Sequence, residues 1–505
     1  YRHYHKLLRE RNAVDFDDLL TAPLQMLAED ADLLARERKR LKWILVDEYQ
    51  DVNRPQYELL RRLAGSGIMA VGDPDQSIYG WRGADIGMIL NFERDFQALD
   101  EETKTRRKAH VVVLDENYRS SGNILGAANS LIRNNSARKE KNLRTARGAG
   151  EKVYSLFAQS DFQEADFIAE EVRRLREKEG YSHGDIALLY RQNAMSRLYE
   201  QKFLEAGIPY RVVRGVAFYE RREVRDVLSV LRLALNPMDL VSFERVAGLM
   251  VRGMGPKKLA EYAAWAAGLS GDVLAPEKFW KALGEKKEEV RSCPIGGQAG
   301  QALTELGRNM ASLLEVSGDV GAAIDHILDA MGYEDLLSQK CPDDWEDRVG
   351  NVMELRSVVP PGEDLAQALA EAALFTDADK NDPNDRKAVS LLTLHAAKGL
   401  EFPVVFLVGL EENVFPNYRA RDNPDQMEEE RRLCYVGMTR AEERLYMTGA
   451  RSRRLYGSTY EEGFSRFFSE VSDMYRTIDD RGSEPRRDDG RGRYGHSRNR
   501  RYRGW

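Results

Sequence analysis

Trp43-Ile44-Leu45-Val46-Asp47-Glu48-Tyr49-Gln50-Asp51 decides how the rest of this chain is read. Four apolar residues in a row predict a strand buried in a parallel sheet, because such strands run as continuous hydrophobic segments. The run ends in two acids, at the end of a strand where open α/β sheets place their ligands. Carboxylates there suit one task well. Asp47 could hold Mg²⁺ on a nucleoside triphosphate, and Glu48 could orient or deprotonate an attacking water. Plain helix N-caps are the competing reading of the same pair.

Composition sets outer bounds. A chain of 505 residues is too long for one core and predicts several domains. Apolar content of 42% beside 31% charged residues fits a soluble globular protein rather than a membrane or disordered one. No apolar run approaches the roughly 18 residues of a membrane span, and no signal peptide is recognisable. Cys293, Cys341 and Cys434 lie far apart without metal-ligand spacing, so reduced structural thiols and a cytoplasmic location are expected. The net charge of −7 alone argues against a nucleic-acid partner. Local basic and aromatic surface, however, decides such binding rather than the total.

Strand-like apolar runs fall at 43–46, 68–71, 111–114, 186–189, 389–392, 404–408 and 445–448, with helical patterns between most of them. That alternation predicts parallel α/β sheets. From about 215 to 385 it stops, and helices such as Glu223 to Leu235 and Ala299 to Leu314 take over, as in an insertion. Residues 481–505 hold nine Arg against Glu484, Asp488 and Asp489, with Tyr494, Tyr502 and Trp505 among glycines. Too little apolar surface is present to offset ordering entropy, so a disordered tail is expected. It would solubilise, dock a partner protein or touch single-stranded DNA.

The trailing Tyr-Gln-Asp chooses between the readings of the acid pair. Asp47-Glu48-Tyr49-Gln50-Asp51 resembles the Walker B element of UvrD/PcrA/Rep-type superfamily 1 DNA helicases. Further resemblances follow in the family's order. Val71 to Asp85 resembles motif III, Asn117-Tyr118-Arg119-Ser120 motif IV, and Tyr190 to Arg197 motif IVa. Thr393 to Phe402 resembles motif V and Glu428 to Arg444 motif VI. The resemblance implies two RecA-like motor domains, the second interrupted by a helical subdomain. Residues 1–115 would be the remainder of the first, 116–214 and 386–475 the second, 215–385 the insertion, and 476–505 the tail.

One element of the family is missing. A phosphate-cradling loop needs Gly-x-x-x-x-Gly-Lys followed by Ser or Thr, and the sequence contains no Gly-Lys pair. The family places that loop before the Asp-Glu element, so the expectation is a helicase without its N-terminal part, inactive on ATP by itself.

At the nucleotide, the resemblance assigns Asp47 to Mg²⁺, Glu48 to water and Gln76 to sensing the γ-phosphate. It makes Arg119 and Arg440 the guanidiniums that neutralise transition-state charge, an effect of roughly 10³–10⁵ in rate, and puts Glu401 near the ribose and phosphates. Tyr79, Trp81 and Tyr118 lie beside these positions, where base stacking would couple DNA to nucleotide state, although loop aromatics also serve as core plugs. His395 would bind phosphate or order its loop. In the insertion, Gly253-Met254-Gly255 with Lys257 resembles a hairpin that holds duplex backbone.

The expected function is therefore an ATP- and Mg²⁺-dependent helicase or translocase. It would move 3′ to 5′ on single-stranded DNA and act at single-strand/duplex junctions in repair or replication, in the cytoplasm at the nucleoid. A non-catalytic DNA-binding or adaptor protein derived from a helicase is the alternative. A helicase–nuclease subunit is disfavoured by the short stretch after motif VI.

Overall fold

The computed structural model describes residues 2–10, 14–65, 67–99, 106–213, 218–269, 275–290, 292–342, 344–358, 365–366, 369 and 387–481. It is an α/β structure, as the alternating pattern requires. The first motor region holds the parallel pair β1 (Ile44–Val46) and β2 (Ile68–Ala70), crossed over through helix Arg54–Leu63. That helix starts cleanly because Asn53 and Gln56 cap each other's backbone amides reciprocally. A short antiparallel pair follows, β3 (Ala98–Leu99) and β4 (Arg106–Arg107). A small core of Tyr49, Val52, Tyr57 and Met88 lies beneath.

The larger sheet is built from two separated stretches of chain. Its strands are β5 (Val153–Ser160), β6 (Ile186–Tyr190), β7 (Tyr210–Val212), β8 (Val389–Thr393), β9 (Phe402–Leu407), β10 (Ala441–Leu455), β11 (Ser458–Tyr460) and β12 (Arg476–Asp480). The order is β12-β5-β10-β9-β6-β8-β7, parallel throughout, with β11 antiparallel on β10. β6 threads between β8 and β9, so the two stretches are bound into one sheet. Every residue of β6 is buried, which is what an uninterrupted Ile-Ala-Leu-Leu-Tyr run demands.

Between β7 and β8 the chain forms helices from Arg222–Leu235 to Trp345–Val358. They pack around Phe243, Tyr262, Phe279 and Trp280, with the Phe243 and Tyr262 rings stacked 3.8 Å apart. Buried polar contacts fasten this bundle to the sheet domain. Arg197 pairs with Glu354 at 2.9 Å, and Arg221 donates to Asn351 Oδ1 at 2.8 Å and to the Asn193 carbonyl at 2.9 Å.

Three sequence expectations need correction. The strand expected at 111–114 has no pairing partner among the described residues, and Val111, Val112, Val113 and Leu114 are exposed. The strand at 43–46 forms but is not buried on both faces: Trp43 is 73% and Leu45 76% exposed, because β1 has a partner on one side alone among the described residues. Residues 476–480, expected in the disordered tail, form instead the edge strand Arg476–Asp480 on β5. The rest of the tail, 482–505, and the ends of the helical insertion at 214–217 and 370–386 lie outside the described residues.

Candidate nucleotide and nucleic-acid site at the domain seam

β1 ends at Val46 and delivers Asp47 and Glu48 to an exposed loop. The Glu48 amide donates to Asp47 Oδ1 at 2.9 Å. One carboxylate with an oxygen still open to solvent fits Mg²⁺, which is ordinarily held by one or two carboxylates plus phosphate oxygens. Among the described residues no group of three or more His, Cys, Asp or Glu forms a metal cage. Glu48 adopts φ +51°, a left-handed conformation that a non-glycine residue holds only where its surroundings enforce it. Gln50 supplies part of that enforcement. Its Nε2 donates to Glu48 Oε2 at 2.5 Å, and its Oε1 accepts from the Asp73 amide at 2.9 Å. A Cβ at Gly72 would lie 2.6 Å from Gln50 Oε1, so a larger residue there would displace the amide that ties the two loops. The acid loop and the turn after β2 are thereby one unit. In that turn Gln76 Nε2 donates to Asp73 Oδ2 at 2.8 Å.

The two arginines come from the other side of the seam. Arg440 is buried and held three ways: Nε to the Val436 carbonyl at 2.9 Å, Nη1 to the Leu400 carbonyl at 3.2 Å and Nη2 to Thr439 Oγ1 at 3.1 Å. Burial first, and the Arg119 guanidinium second, pull Arg440 down to about 10, against the attraction of Tyr435, Glu401 and Glu48. It therefore stays cationic at neutral pH. Arg119 Nε donates to Glu401 Oε2 at 2.6 Å. Arg119, Arg440, Glu401 and Glu48 thus share one electrostatic neighbourhood, a grouping that spans 392 positions from Glu48 to Arg440.

Lys398, which sequence reasoning passed over, crosses the seam directly. With 8% of its side chain exposed, its Nζ lies 2.5 Å from Asp51 Oδ2, 3.5 Å from Glu48 Oε2 and 3.0 Å from the Gln76 carbonyl. Burial raises the Asp51 carboxyl despite that lysine. The available signal was its place in the quoted motif V segment.

The aromatics divide. Tyr79, Trp81 and His395 cluster across the seam, with Tyr79–Trp81 and Trp81–His395 centroids each 6.4 Å apart. Trp81 is 66% exposed, and Arg82 stacks on its ring at 4.5 Å. Tyr79 is half-buried against the second domain's core and donates its hydroxyl to the His395 carbonyl at 3.2 Å, nearer the core-plug reading. Burial, then Arg191 and Arg82, push the His395 imidazole down to about 3, so the ring is neutral. Tyr118 is 76% exposed, and its hydroxyl donates to Glu116 rather than to the cluster.

In the helical insertion, Gly253 has φ +81°, which favours glycine, and Gly255 caps helix Pro256–Ala267. A Cβ on Gly255 would meet open space, so none of the described residues requires glycine there. The Lys257 side chain is 92% exposed at that helix start.

A parallel-sheet pair meeting at a seam lined by acids on one side and arginines on the other defines the class of RecA-like motor proteins. Family models agree: the UvrD/REP helicase N-terminal domain matches residues 1–97, and the UvrD-like helicase C-terminal domain matches residues 112–278 and 324–452. The chain belongs to the UvrD-like helicase family. It is 39% identical over 490 residues to the ATP-dependent DNA helicase PcrA of Bacillus subtilis, covering 94% of this chain and 63% of that protein. The PcrA proteins of Leuconostoc citreum (39% over 489 residues, 94% and 62%) and Staphylococcus aureus (37% over 486 residues, 93% and 63%) are similar to the same extent. The chain thus spans less than two thirds of the length of these relatives.

Proposed function

We propose that this chain forms the domain seam of an ATP-dependent DNA helicase that moves 3′ to 5′ on single-stranded DNA and opens duplex in repair or replication. The observation carrying this reading is Arg440. It is fixed by three hydrogen bonds on one domain, while its charge faces Arg119, Glu401 and the Glu48 carboxylate of the other. A guanidinium locked in place beside a strained acid suits charge that develops during phosphoryl transfer, because no reorganisation is needed when it appears.

In this reading Asp47 holds Mg²⁺, which would neutralise phosphate charge. Glu48 orients water, Gln76 contacts the γ-phosphate, and Glu401 steadies Arg119. Trp81, with Arg82 against it, and Tyr118 stack on bases, while Tyr79 and His395 order the loop between DNA and nucleotide. Gly253, Gly255 and Lys257 meet duplex backbone at a junction. Because residues 1–505 hold no Gly-Lys pair, the chain alone is proposed to be inactive on ATP, and hydrolysis is proposed to need a phosphate loop supplied with it. The proposed location is cytoplasmic; no described helix is long and apolar enough to cross a membrane.

Strand displacement tests the proposal. With the phosphate loop present, a duplex carrying a 3′ single-stranded tail should be unwound and one carrying a 5′ tail left intact. Unwinding of the 5′-tailed substrate alone, or of neither, contradicts it.

A further inference from the structure

The turn after β2 is gripped from the opposite domain more heavily than an ordinary surface loop. Four cations from three separate stretches of sequence reach the segment Asp73–Ser77. Arg138 forks onto buried Asp75, with Nη2–Oδ2 at 2.9 Å and Nε–Oδ1 at 3.3 Å. Lys141 pairs with Asp73 and lies 3.4 Å from Asp75. Lys398 donates to the Gln76 carbonyl at 3.0 Å, and Arg432 Nε to the Ser77 carbonyl at 2.9 Å. Exposed ion pairs contribute little. Here the Arg138, Lys141 and Asp75 side chains are only 11%, 13% and 2% exposed, so solvent screens them weakly.

Gln76 stands at the centre of this grip. Its side chain donates to Asp73 Oδ2, and the other oxygen of that carboxylate is the one taken by Lys141. Its peptide carbonyl is held by Lys398, the same lysine that reaches Asp51 and Glu48. The side-chain Nε2 is turned toward Asp73. We propose that Lys141 and Lys398 are positioning residues for Gln76. Lys141 fixes its side chain through Asp73, and Lys398 fixes its backbone. A displacement of the second motor domain then changes how Gln76 is presented to nucleotide. This deepens the nucleotide reading of Gln76 and rests on it.

Two measurements test the proposal, and they fail separately. In the 505-residue chain, the amides of Asp75, Gln76 and Ser77 are protected by bonds within the turn, to Asp73 Oδ1, the Asp73 carbonyl and the Pro74 carbonyl. Lys141→Met and Lys398→Met should each speed hydrogen exchange there by about tenfold or more. Arg197→Met, which breaks an even better shielded pair with Glu354 at the helical insertion, should not. Exchange unchanged by both lysine variants overturns the proposal.

In the protein with its phosphate loop, Lys141→Met should lower kcat for ATP at little cost in KM, and Lys141→Arg should restore it. Adding Lys141→Met to Gln76→Ala should cost nothing further, because the lysine acts only through the glutamine. Losses that multiply, or a rise in KM alone, overturn the positioning role. A wild-type protein that never hydrolyses ATP, but whose exchange responds as expected, overturns the nucleotide reading and leaves the grip on the turn standing.

Discussion

Arg440 and Arg119 differ in how they are held, and their variants should differ accordingly. Arg440 is anchored by three hydrogen bonds within its own domain, whereas Arg119 leans on the exposed acid Glu401. With the phosphate loop present, replacing either by Ala should cut kcat by orders of magnitude with smaller changes in ATP affinity, since both act on transition-state charge. Equal losses in affinity and rate, measured by steady-state kinetics and nucleotide binding, would mark them as ground-state contacts. His395 carries a prediction in the chain as it stands. An unfolded histidine takes up a proton near pH 6.5, but the buried ring resists it down to about 3. Its contribution to stability is therefore present above pH 6.5 and lost as the pH falls toward 3. Between pH 7.5 and 5, the urea midpoint of the wild type should drop further than that of His395→Gln. Equal drops would place the ring in solvent. Both arginines and His395 were legible in the sequence because they sit inside motif-length runs. Lys398, although inside a motif, and Arg138 and Lys141 were not, because their roles come from contacts across the seam, and that of Gln50 comes from its bond to the turn after β2; no local spacing encodes either.

Elements show where local pattern suffices and where it fails. The buried strands β6, β8 and β9 lie within a residue or two of their apolar runs, because they have neighbours on both sides. The run at 111–114 has the same composition and no pairing partner among the described residues, so it stays out of any sheet. β12 was missed for the converse reason. Its Arg-Thr-Ile-Asp-Asp sequence carries little apolar signal, and β5 alone organises it. The loop after β2 exposes Trp81, and the loop before helix Gly122–Ile132 exposes Tyr118. Replacing either by Ala should weaken single-strand binding by about 1–3 kcal/mol and leave the salt slope unchanged, since stacking releases no counterions. Fluorescence anisotropy across a salt series measures both quantities. Unchanged affinity would return these rings to a structural role. At the start of helix Pro256–Ala267, Lys257→Ala should weaken binding to junction DNA alone, and a similar loss on plain single strands would remove the hairpin from the duplex path.

At the scale of the whole molecule, the sheet domain is pinned by Arg453 of β10. This residue is fully buried with Glu164 and Glu411, and its Nε lies 2.6 Å from Glu411 Oε2. Glu164 also accepts from Tyr199 and Thr448, so little of the cluster is left unpaired. Removing one member of a buried ion pair costs about 3–5 kcal/mol, because the charge left behind has no partner. Arg453→Met should therefore destabilise the chain by that amount in denaturant unfolding, and a loss within about 0.5 kcal/mol, typical of surface substitutions, would show that the acids find other partners. The sheet domain serves to hold Arg119, Arg440 and Lys398 against the acids of the first domain, and that juxtaposition is the central claim. DNA-stimulated ATP hydrolysis, measured on the protein with its phosphate loop beside Glu48→Gln and Arg440→Ala, tests it most directly. The account predicts turnover that rises with single-stranded DNA in the wild type and is abolished in both variants while their DNA binding survives. Turnover in the variants equal to that of the wild type, or hydrolysis indifferent to DNA, would contradict it.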